Sequence, residues 1–168
     1  VCGQGASQGC NNCGTQSCTA GCQWGTCSIG PVDNYEENDS EGAAKVLAGI
    51  TDNDSDTRTA QANINPAYDH DWFRIHIDDN TGYQIDPWFS LSNVAAGQQY
   101  QLCVVYDCDA SGGVYSKCTT VTGNGSVSLD VADCEDFWSG DDDSGQATIH
   151  ITPLTSGSCS NYTLQIGA

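Results

Sequence analysis

The chain has very little positive charge. Only Lys45, Lys117, Arg58 and Arg74 oppose 22 acidic residues, for a formal charge of −18. A field of that sign repels phosphate backbones and anionic lipid, which argues against nucleic acid and membranes as partners. Methionine is absent and the sequence opens at Val1. With no charged n-region or apolar h-region ahead of the body, we expect a processed, mature chain. No apolar run approaches the roughly 20 residues that a spanning helix needs, so membrane insertion is not expected. Histidine is scarce: His70, His76 and His150 are the three. None stands in an H-E-x-x-H helix, and there is no G-x-S-x-G elbow. Without those signatures we expect a protein that is not an enzyme.

Cysteine, by contrast, is abundant. Of eleven, six fall in the first 27 residues: Cys2, Cys10, Cys13, Cys18, Cys22 and Cys27. Residues 1–31 otherwise hold glycine, asparagine, serine and glutamine, with Trp24, Val1 and Ile29 as the large apolar side chains. Such a segment cannot order itself by burial and needs disulfide or metal staples. The spacing admits zinc, but thiolate ligands suit a reducing compartment; disulfides fit the rest of the chain better. Gly30-Pro31 marks a boundary, so we divide the chain into a cysteine-rich arm, 1–31, and a domain, 32–168.

The other cysteines are Cys103, Cys108, Cys118, Cys134 and Cys159. Cys108 and Cys118 flank a short connection and are expected to pair across it, and Cys134 is expected to pair with Cys159. Cys103 faces outward, toward the arm or another chain. An odd total leaves one thiol free, bonded to an upstream residue, or bonded to a neighbouring molecule.

Period-two alternation repeats through the domain. Phe73, Ile75 and Ile77 share one face, as do Leu102, Val104 and Tyr106. Val127, Leu129 and Val131 form a third set, Ala147, Ile149 and Ile151 a fourth, and Tyr162, Leu164 and Ile166 a fifth. Weaker strands are expected over 59–64, 85–91 and 114–121, with Pro87 placing its run at an edge or bulge. One short helix is expected over 40–48, capped by Asp39 or Ser40. The fold class is therefore all-β: an antiparallel, jelly-roll-like β-sandwich with one short helix and a disulfide-stapled N-terminal arm.

Three acidic stretches merit attention. Asp33, Glu36, Glu37, Asn38 and Asp39, joined by Asp69 and Asp71, offer the carboxylate and amide oxygens that calcium requires. The plainer reading makes Asp39 a helix cap and leaves the others solvated, but converging unpaired carboxylates would repel one another. Asp141-Asp142-Asp143-Ser144-Gly145 is explained equally well as a turn. Asp52-Asn53-Asp54-Ser55-Asp56 starts like an EF-hand loop, but has Thr57 where glycine belongs and Asn63 where the bidentate Glu belongs, and reads as a loop. Trp72, Trp88 and Trp138 offer a stacking platform for sugar or peptide, with core packing as the plainer account.

The run Asp33-Asn34-Tyr35-Glu36-Glu37-Asn38-Asp39-Ser40, then Ala44 and Leu47, then Asp69-His70-Asp71-Trp72-Phe73, resembles the bacterial pre-peptidase C-terminal domain family. Asn161-Tyr162-Thr163-Leu164-Gln165-Ile166 fits that family's closing strand, so the resemblance covers residues 33–166. Glu37 stands where the family has proline, and the stretch 103–139 is richer in cysteine. The resemblance implies a small sandwich in secreted or cell-surface bacterial proteins, often beside proteases, with related collagenase modules binding matrix and calcium. It implies Glu36, Asn38, Asp39, Asp69 and Asp71 as calcium ligands.

These readings lead us to expect a secreted, structural or adhesive protein, calcium-bound and disulfide-stabilised. Its partners would be copies of itself, as in a fibre, or an extracellular glycan or protein. The alternative is a targeting module of a larger secreted hydrolase.

Overall fold

A computed structural model describes residues 1–10, 13–28, 30–52, 56–66, 68–80, 85–109, 113–129, 134 and 143–168. Two short strands form in the arm: β1 (Ser7–Cys10) and β2 (Gly14–Ser17). The domain contributes β3 (Lys45–Val46), β4 (Ile50–Thr51), β5 (Thr57–Ile64), β6 (Asp71–Asp78), β7 (Trp88–Ser92) and β8 (Tyr100–Cys108). It continues with β9 (Val114–Val121), β10 (Gly125–Ser128), β11 (Gly145–Pro153) and β12 (Ser158–Gly167).

Alternation along these strands leaves each sheet with one apolar face, and the two faces close on each other. One sheet runs β10-β7-β12-β5; the other runs β3-β6-β11-β8-β9, with β4 also on β6. Neighbours are antiparallel except β3 and β4, which pair parallel to β6. Phe73, Ile75, Ile149, Val104 and Tyr106 from one sheet share a core with Phe89, Leu91, Tyr162, Leu164 and Ile166 from the other. The five alternating sets thus face the core, with Leu129 just past the end of β10; Val131 lies outside the described residues.

The expected helix over 40–48 does not form. A single 3-10 turn, Glu41–Ala43, is followed at once by β3, and Ser40 sits at the cap without a side-chain capping bond. Nine residues containing Gly42 make a poor helix nucleus. The open edge of β6 offers backbone partners instead: Leu47 N–H donates to the Arg74 carbonyl at 2.8 Å. Pro87 does not put its strand at an edge either. It directly precedes β7, which is central, and its carbonyl accepts from Leu129 N–H at 3.0 Å.

Every cysteine but Cys22 is paired, which makes this a disulfide-stapled, all-β protein. Cys2–Cys18 and Cys10–Cys27 staple the arm. Cys13–Cys159 ties it to the start of β12, and Asn65 Nδ2 donates to the Pro31 carbonyl at 2.9 Å beside that junction. The expected Cys108–Cys118 and Cys134–Cys159 pairs are replaced by Cys103–Cys118 and Cys108–Cys134. Parity is the reason. Cys103 and Cys118 are direct cross-strand partners on the outer face of β8 and β9, 4.1 Å apart at Cα. Cys108 lies an odd number of residues beyond Cys103 and so turns inward, where it meets the fully buried Cys134. Cys103 therefore reaches neither the arm nor another chain. Bridges of this number belong to a chain that matures in an oxidising compartment. Among the described residues no helix is long and apolar enough to cross a membrane.

Candidate metal centre

The segment before the 3-10 turn and the loop before β6 meet at one end of the sandwich. Single carboxylate oxygens of Glu36, Asp39 and Asp69 lie within 4.8 Å of one another, and so do those of Asp33, Glu36 and Asp71. Asp71 and Asn38 are fully buried, and Asp69 is 2% exposed. Glu37 is exposed and belongs to neither group.

The buried ligand candidates share a pattern. Each uses one polar atom as an anchor and leaves the other without a partner. Asn38 Nδ2 donates to the Trp72 carbonyl at 3.4 Å, while its Oδ1 has no donor. Asp69 Oδ2 accepts from Asn65 N–H at 2.9 Å, while its Oδ1 has none. Asp71 Oδ2 accepts from the Tyr162 hydroxyl at 2.6 Å, while its Oδ1 has none. Glu36 Oε1 is buried and unpartnered as well. Orphaned buried oxygens are rare because each forfeits its hydration, and several within one cluster require a common cation or protons.

Without a cation, burial favours the protonated forms of Asp69 and Asp71. Burial, then Asp39 and Asp71, push Asp69 up to about 9. Burial is also the main cause that raises Asp71 to about 7, against the lowering bond from Tyr162. Glu36 is raised by burial, then by Asp33 and Asp39. No Lys or Arg ion pair relieves this cluster; among the described residues Arg58 and Arg74 bond elsewhere, to Asp56 and Glu41. The donor set is all oxygen, mixing carboxylate with amide, which suits a hard cation such as calcium better than zinc or copper.

Of two further residues at the cluster, Tyr100 carries no sequence signal of that role, and Asp33 belongs to the acidic run. Tyr100 has a buried hydroxyl without a partner, pushed up to about 12 by burial and then by the charges of Asp71 and Asp69. Asp33 is already spent on scaffolding: its oxygens accept from Tyr35 N–H and Asn63 N–H, each at 2.7 Å. The inward parity of Tyr100 on β8 is the one hint the sequence offers.

The other candidates separate. Asp52 accepts from Asn80 N–H and Asp56 pairs with Arg58, so these two serve a loop; residues 53–55 lie outside the described residues. Asp143 Oδ1 accepts from Cys134 N–H at 3.0 Å, a turn role; Asp141, Asp142 and Trp138 lie outside the described residues. Trp72 is on the outer face of β6 and Trp88 begins β7 in the opposing sheet, so the two indoles cannot form one platform. Trp88 lies over Gly167, where a side chain would meet its ring. Trp72 stacks on His150, centroids 3.9 Å apart.

No protein-family profile matches the chain, and no curated protein sequence matches it.

Proposed function

We propose that this chain is an extracellular structural or adhesive module, secreted or held at a cell surface, whose rigidity rests on disulfides and a bound calcium ion. The observation that carries this reading is the set of unpartnered buried oxygens on Glu36, Asn38, Asp69 and Asp71. With Asp39, these residues would hold the ion, as the resemblance to the pre-peptidase C-terminal family implies. Calcium would supply the positive charge that the cluster lacks and would bind the folded state alone. The chain's own residues do the positioning: Tyr162, Asn65 and the Trp72 carbonyl fix three of the ligand side chains before any ion arrives. The work of such a module is mechanical and proteolytic durability, and catalysis has no part in it. Self-assembly into a fibre fits an arm that keeps one exposed thiol, Cys22.

The test is thermal melting with calcium and after its removal, on wild type and on Asp69→Asn with Asp71→Asn. At a hundredfold excess over Kd the ion adds about 2.7 kcal/mol, a rise of roughly 5–10 °C. An unchanged wild-type midpoint sinks the calcium reading, as does an equal rise in the double variant.

A second reading, a targeting module of a larger secreted hydrolase, draws on Tyr68 and Leu154. They are 90% and 50% exposed and line one open cavity. Retention on insoluble glycan or collagen, lost with Tyr68→Ala, supports it; passage through both without delay removes it.

A further inference from the structure

Charge divides this chain unevenly. Every Asp, Glu, Lys, Arg and His lies beyond residue 31, so the arm has no charged side chain and the domain carries the whole −18. Two copies that meet domain to domain set carboxylates against carboxylates. Two copies that meet through their arms do not.

The arm also has an open strand edge. β1 and β2 pair antiparallel, with Ser7 opposite Ser17, Gln8 opposite Gln16 and Gly9 opposite Thr15. The far side of β2 is covered. Thr15 N–H donates to Ser28 Oγ at 3.0 Å, and the Thr15 carbonyl accepts from Ser28 N–H at 2.8 Å. The Ser17 carbonyl accepts from Gly25 N–H at 2.9 Å. Thr15 and Ser17 thus turn their backbone groups away from β1. By the alternation of an antiparallel ladder, their partners Gly9 and Ser7 turn theirs away from β2. Among the described residues nothing bonds to that side of β1. Ser7, Gln8 and Gly9 are exposed, and a side chain at Gly9 would meet nothing within 4 Å.

Open edges invite a further strand, and proteins blunt them with charge, proline, bulges, short strands or a cover. The domain does so. On the edge strand β9, Lys117 lies by register on the Val104 side of the sheet and donates to the Ser128 carbonyl at 2.9 Å. β3, at the opposite edge, has two residues. Along the edge strand β5, Asn63 N–H donates to Asp33 Oδ2 at 2.7 Å, and Arg58 reaches the Ala48 and Gly49 carbonyls at 3.1 and 2.6 Å. β1 has no charge, no proline and no bulge.

We propose that the β1 edge is a docking surface for the β1 edge of a second copy, joining two arms into one antiparallel four-stranded sheet. Ser7 of each copy would stand opposite Gly9 of the other, and each such pair exchanges both its N–H···O bonds. Gln8 then meets its own counterpart on the two-fold axis. With Gln16 beside it, each face-sharing row becomes a glutamine ladder, in which every amide both donates and accepts. The contact is isologous and closes on itself, so a fibre would need a second contact elsewhere. It is also small, and belongs with weak, concentration-dependent pairs. The proposal rests on the self-association named above and supplies its surface.

The test uses the whole chain with Cys22→Ser, which leaves only noncovalent pairing, in calcium-containing buffer. Sedimentation equilibrium up to about 1 mM protein should show a monomer–dimer equilibrium. Gln8→Lys sets two like charges together on the axis, and Gly9→Pro removes an outward donor. Each should weaken the dimer by about tenfold or more. Val114→Lys, on the exposed end of β9, is the control and should change nothing. Amide exchange should slow at Ser7 and Gly9 as concentration rises, and stay constant at Gln8, which is already bonded within the hairpin. A dimer that survives both β1 variants, or that Val114→Lys abolishes, overturns this surface and leaves self-association standing through another. The mass of one chain at every concentration overturns the surface and noncovalent self-association together, while the calcium reading keeps its own melting test. A thermal melt of each variant separates a lost contact from a lost fold.

Discussion

The Tyr162 hydroxyl donates to Asp71 Oδ2 at 2.6 Å and so joins β12 of one sheet to β6 of the other, directly beneath the acidic cluster. Both residues are fully buried. Burial, then the Asp71 charge, holds the Tyr162 hydroxyl protonated well above its usual range, so it remains a donor at any working pH. Tyr162→Phe removes the donor and leaves a buried carboxyl oxygen unpaired. The expected loss is about 2 kcal/mol by urea denaturation. A variant as stable as wild type would show that the bond contributes nothing net.

The metal-free protein should respond to pH in an unusual direction. Burial raises Asp69 to about 9 and Asp71 to about 7, against 3.8 for an ordinary aspartate. Between pH 4 and 9 the folded state therefore binds more protons than the unfolded state, and stability falls as pH rises through that window. His150, which burial and His70 push down to about 4, stays neutral above pH 6.5 and does not confuse the upper part. Melting in metal-free buffer should thus be higher at pH 6.5 than at pH 9. With calcium the carboxylates are held ionised and this decline should disappear. Parallel curves with and without calcium would contradict the assignment.

Cys13–Cys159 is the covalent tether between arm and domain, spanning 146 residues. Serine at both positions should cost about 2–5 kcal/mol, most of it through the unfolded chain. It should also expose the segment around Pro31 to protease while the domain stays intact. Limited proteolysis with mass analysis reads both, and an arm that resists cleavage as before would mean that noncovalent contacts suffice.

Cys22 is the one thiol outside a bridge, and it is exposed. Under native conditions one thiol per chain should react with a thiol reagent, and none in Cys22→Ser. Size exclusion with and without reductant then addresses assembly. A covalent dimer that reductant and Cys22→Ser both abolish supports self-association; a monomer throughout removes it.

Strands and core were readable because alternation is a local pattern. Phe73, Ile75 and Ile77 announce an inward face wherever the strand lies. The stretch 40–48 misled because its apolar spacing fits a helix in isolation, while the unpaired edge of β6 supplied a competing set of backbone partners. The cysteine pairing was open to parity counting between Cys103 and Cys108, but choosing Cys134 for Cys108 required the path of a distant segment. In the oxygen cluster, Glu36, Asn38, Asp39, Asp69 and Asp71 stood out as two acidic runs. Tyr100, Tyr162 and Asn65 did not, because their roles come from strands that meet only in the folded chain.

Residue type and spacing alone sufficed for the all-β class, the apolar faces, the oxidised cysteines and the hard-donor composition of one end. Those properties depend on neighbours two or three positions away. Partner strand, bridge partner and the orphaned oxygens around Asp71 depend on which segments the fold brings together, over separations such as 15 residues for Cys103–Cys118 and 91 for Tyr162 and Asp71. Such encounters are chosen by packing of the whole sandwich, which no local pattern encodes.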